Sequence, residues 1–81
     1  MFNGESIDKT PTVNQVKAII EYMEQDKSVG YNFFNMMGMQ RLQPNKIKLD
    51  LNNAHLGEYY EIVFNDENEI ISFKNVGRWM S

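Results

Sequence analysis

The first regular pattern along the chain begins near residue 12. Val13, Val16, Ile19, Ile20 and Met23 recur at the spacing of one face of a 3.6-residue helix, while Lys17, Glu21, Glu24 and Gln25 fall off it. Thr10-Pro11-Thr12 offers a capping hydroxyl and a proline for the first turn, and Thr12 followed three residues later by Gln15 has the form of a capping box. These signals predict a helix over 12–27, stopped by Gly30. Residues 1–9 show no period and read as a loosely held arm, with Phe2 and Ile7 as its apolar points.

The stretch Tyr31 to Leu42, YNFFNMMGMQRL, fits neither period cleanly. Its methionines favour a helix, and Val29, Phe33, Met36 and Met37 stand at i, i+4, i+7 and i+8, so a short helix over 30–40 is expected, weakened by Gly38. Phe33, Met36 and Met37 are its expected core residues, and because Tyr31, Phe34 and Met39 cannot all be buried on one short helix, some of these are expected to reach a surface. Gln43-Pro44-Asn45 breaks the pattern, because proline cannot continue a helix and pushes its predecessor toward extended backbone.

Beyond Pro44 the period becomes two. Lys46 to Leu51 alternates without exception, turning Ile47, Leu49 and Leu51 inward. Two further strands follow at 58–64 and 69–76, leaving Arg78 to Ser81 as a short tail. With a four-residue turn over 65–68, Phe64 pairs with Glu69, Ile62 with Ile71 and Tyr60 with Phe73. With a loop over 54–57, Leu51 pairs with Tyr60, Leu49 with Ile62 and Ile47 with Phe64. Both turns send Ile47, Leu49, Leu51, Tyr60, Ile62, Phe64, Ile71 and Phe73 to one face. The expected architecture is therefore α+β: one or two N-terminal helices packed on a three-stranded antiparallel meander over 46–76, a two-layer single domain spanning 1–81.

Composition narrows what such a domain does. With 81 residues and 42% hydrophobic content the chain is long enough for one modest core and too apolar for global disorder. It has no cysteine and one histidine, which removes thiolate catalysis, disulfides and Cys-ligated zinc. No signal peptide or membrane span is legible, so a cytoplasmic address is expected. His55 sits in the predicted loop with only Glu58 nearby, short of a metal site or a catalytic pair. No catalytic, cofactor or metal residues are therefore assigned. Abundant Asn, Ile, Lys and Tyr have AT-rich codons, in keeping with a phage or mobile-element source.

Binding candidates are clearer. Glu58, Glu61, Asp66, Glu67 and Glu69 place acids around the predicted hairpin without an intervening base. That run suits contact with a basic protein, or serves as a solvated turn. On the outer sheet face Tyr59 lies near Val63 and Ile70, which pair in the expected register and suggest an apolar contact with a target or a second copy. The partner-binding set is thus Tyr59, Val63, Ile70, Glu61, Asp66, Glu69, Tyr31 and Phe34. The expected function is a small non-catalytic protein-binding module, such as an inhibitor of a host or defence enzyme or an accessory subunit, with a larger protein as partner. The alternative is a single-stranded nucleic-acid binder using the sheet face, which the net charge of -3 disfavours.

Overall fold

The computed structural model describes residues 9–25 and 36–80. It is an α+β structure with helix α1 at Val13–Gln25 and strands β1 at Met36–Gln43, β2 at Lys46–Asn52, β3 at Leu56–Phe64 and β4 at Ile70–Met80. The strands form one four-stranded sheet in the order β1-β2-β3-β4, each antiparallel to its neighbour. Helix α1 covers one face, here the inner face. Among the described residues no helix is long and apolar enough to cross a membrane.

The capping box forms as its sequence implies: the Thr12 N–H donates to Gln15 Oε1 at 3.0 Å, and the Gln15 N–H donates to Thr12 Oγ1 at 3.1 Å. Gln15 is buried and donates its side-chain Nε2 to the Pro44 carbonyl at 2.9 Å, so one residue caps the helix and ties it to the β1–β2 turn. The buried stripe is accordingly Gln15, Ile19 and Met23, one helical turn apart. Val13, expected on that stripe, is 75% exposed, because it sits in the first turn and the satisfied amide of Gln15 takes the inward position. Residues 26 and 27 of the expected helix lie outside the described residues.

The core joins Ile19 and Met23 to Ile47, Leu49, Leu51, Tyr60, Ile62 and Phe64. Tyr22 of α1 stacks on Phe73 of β4 with ring centroids 4.3 Å apart, and Phe73 meets Tyr60 at 5.3 Å. Truncating a fully buried side chain such as Ile62 to alanine costs about 2–5 kcal/mol, a large share of a small domain's stability.

Four expectations are corrected. Residues 36–40, read as part of a short helix over 30–40, belong to β1, and residues 30–35 lie outside the described residues. Tertiary pairing overrides local propensity here: β2 is buried at Ile47, Leu49 and Leu51, and β1 satisfies the backbone groups of its other edge. Met39 consequently packs against the core, whereas Met36 and Met37, expected inside, are exposed.

The second correction is the first loop. It closes one residue earlier, pairing Asn52 with Gly57, so that Leu51 faces Glu58, Leu49 faces Tyr60 and Ile47 faces Ile62. Asn53 sets this turn by accepting the His55 and Leu56 N–H groups on its side-chain oxygen, at 2.8 and 3.0 Å. The slip amounts to two residues of pairing, and the face of each side chain survives it.

The third correction changes faces. The Asn65 N–H donates to the Glu69 carbonyl, leaving a loop of Asp66, Glu67 and Asn68 with Asn68 in the left-handed region at φ 62°. Asn65 Oδ1 accepts the Glu67 and Glu69 N–H groups, which fixes this tighter turn. Phe64 therefore pairs with Ile70, a bulge at Ile71 follows, and Val63 faces Ser72. Ile70 packs against the core while Ile71, expected inside, is 63% exposed. The fourth correction is the supposed tail: β4 runs on through a second bulge at Val76, so Arg78 faces Glu58 and Trp79 faces Gly57.

Candidate functional site

Two surfaces emerge from this register. The first is a groove between α1 and the β3–β4 hairpin, of about 300 Å³, lined by Ala18, Glu21, Tyr22, Gln25, Asn68, Glu69 and Ile70. Ala18, Tyr22 and Ile70 also touch the core, so they form a fixed apolar floor. Glu21 and Glu69 supply acids at its rim, and the exposed Asp66 and Glu67 project from the adjoining turn. Asn65 donates its side-chain amide to Glu69 Oε1 at 2.8 Å and Asn45 donates to Asp66 Oδ1 at 3.3 Å, so two exposed side-chain bonds brace the turn.

The second surface is the outer face of the sheet. Pairing places side chains there in rows across the strands: Met36, Asn52, Gly57 and Trp79; then Gly38, Asp50, Tyr59 and Gly77; then Gln40, Lys48, Glu61 and Lys74; then Gln43, Lys46, Val63 and Ser72. The indole of Trp79 occupies the space that a side chain on Gly57 would fill. The ring of Tyr59 spreads over Gly77 in the same way, with Cδ2 3.1 Å from where a β-carbon would stand. Lys48 Nζ sits 5.1 Å from the Tyr59 ring centroid, a cation–π contact, and Lys46 pairs with Glu61 at 3.4 Å.

The expected contact residues are thus divided. Tyr59, Glu61 and Val63 share the outer face, whereas Ile70, Asp66 and Glu69 belong to the groove and its hairpin. Tyr31 and Phe34 lie outside the described residues. The proposed Val63–Ile70 pair does not exist, because the bulge at Ile71 puts Ser72 opposite Val63. Glu58 faces inward, accepting from the Tyr60 hydroxyl at 2.7 Å and from Arg78 Nη2 at 2.9 Å. Burial, and then the hydrogen bond to Glu58, hold the Tyr60 phenol above its ordinary pKa.

Sequence reasoning missed Glu21 and Tyr22 as groove residues and Trp79 as part of the sheet. For Trp79 the sequence carries no clean alternation, and its face depends on the unforeseen bulge at Val76. His55 stays in an exposed loop, and among the described residues no group of three or more His, Asp or Glu side chains is placed to hold a metal. No protein-family model, curated protein or solved structure matches this chain.

Proposed function

We propose that this chain is a non-catalytic protein-binding module that receives a basic surface of a larger protein in the groove between α1 and the β3–β4 hairpin. The observation that carries the reading is the juxtaposition of an apolar floor, Ala18, Tyr22 and Ile70, with the rim acids Glu21 and Glu69. A packed apolar centre with a charged rim is the general anatomy of a protein interface, and the acids would steer a basic partner on approach. The small size and the abundance of residues with AT-rich codons fit an inhibitor of a host or defence enzyme, or an accessory subunit.

The test is affinity capture with the full chain, partner identification by mass spectrometry, and then kinetics on the purified pair. Changing Glu21→Lys together with Glu69→Lys should slow association tenfold or more and flatten its dependence on salt, with no loss of cooperative unfolding. An unchanged association rate in the folded variant rejects the groove as the contact.

A further inference from the structure

The outer face has a composition unlike that of the groove. It carries three lysines, Lys46, Lys48 and Lys74, against two acids, Asp50 and Glu61, in a chain whose net charge is -3. Lys46 is already joined to Glu61, so Lys48 and Lys74 remain against Asp50, a surplus of one positive charge beside the aromatic rows. Tyr59 and Trp79 lie in consecutive rows, each spread over a glycine of the neighbouring strand. A ring seated on glycine backbone has little freedom to lose on binding, and both Tyr59 and Trp79 keep part of their surface exposed. Helix α1 occupies the opposite face.

We infer that the outer sheet face is a second, separate binding site that takes unpaired nucleobases of a single-stranded nucleic acid. Flat aromatic rings stack bases of any identity, because every base has a π-face. The lysine row lies one row from Tyr59, within a side chain's reach of the phosphates joining stacked bases. A base settling on Tyr59 would displace the Lys48 ammonium from the ring and leave it beside those phosphates. Charge complementarity favours this occupant over a basic protein segment, which Lys48 and Lys74 would repel. The small cation count makes the site a weak, short-footprint binder.

Trp79 is the only tryptophan in the chain, so its fluorescence reports on the site directly. The full chain is titrated at low salt with oligothymidylate of about twelve nucleotides, within the range of site sizes for sheet-based binders. The expected result is saturable quenching with micromolar affinity. The plot of log K against log salt should have a slope of about -1.4 to -2, corresponding to two or three phosphates. An abasic oligomer of equal length should bind at least tenfold more weakly.

By anisotropy of a labelled oligonucleotide, Tyr59→Ala and Trp79→Ala should each weaken binding tenfold or more, and Lys48→Ala with Lys74→Ala should flatten the salt dependence. Gly57→Ala supplies an independent check, because its new methyl group displaces the Trp79 ring from its seat without deleting it, and it should also weaken binding. Variants are compared only where cooperative thermal unfolding is retained. The inference is overturned if no saturable binding to single-stranded DNA or RNA occurs at low salt. It is equally overturned if the abasic oligomer binds as well as the parent, or if the partner captured by the groove also requires Trp79 while oligonucleotides do not bind.

Discussion

Tyr60 shows how one side chain serves both core and polar network. Its ring is buried beside Phe73, while its hydroxyl donates to Glu58, which is also held by Arg78 of the next strand. Both burial and the carboxylate favour the neutral phenol, so the pKa is raised in the folded state. The sign follows: the contribution to stability is complete below the unfolded tyrosine value of about 10 and is lost as pH rises through the folded value. Tyr60→Phe should cost about 1 kcal/mol at neutral pH. In urea titrations the stability difference between parent and variant should be constant at neutral pH and shrink only as pH rises past about 10. Parallel curves across that range would show that ionisation of Tyr60 is not linked to unfolding.

The hairpin shows how element geometry decides which residues are core. A turn with one residue fewer than the sequence suggests exchanges the roles of Ile70 and Ile71, and the bulge at Ile71 restores the original faces from Ser72 to Asn75. That is why Phe73 lands where the alternation predicts although Ile71 does not. Ile71→Asp should therefore stay within about 0.5–1 kcal/mol of the parent, whereas Ile70→Asp should lose about 2 kcal/mol or more. Urea midpoints at constant m-value measure both. A perfectly alternating β4 demands the reverse order of effects, so a more damaging Ile71→Asp would refute the bulged register. The second bulge acts likewise on Trp79, turning it outward over Gly57 and turning Arg78 inward to Glu58.

At the scale of the whole molecule, one face of the sheet is committed to the helix and the other is open, and the two proposed contacts share no side chain. Their effects should therefore add. Combining Glu21→Lys and Glu69→Lys with Tyr59→Ala should reproduce the sum of the separate binding and stability changes within about 0.5 kcal/mol. Partner and oligonucleotide titrations on the combined variant measure this, and strong coupling would mean that the groove and the outer face communicate. Sequence by itself determined the α+β class, helix α1 with its capping box, the core alternation of β2 and β3, and the acidic character of the hairpin. Those features are local, set by period, capping chemistry and turn residues within a few positions of one another. Only the tertiary structure decided that residues 36–43 form a strand, since their weak local preference gives way to pairing with the edge of β2. It also decided the faces of Ile70, Ile71 and Trp79, because each inserted residue in a bulge reverses every side chain up to the next irregularity, and alternation alone carries no record of where the insertions fall.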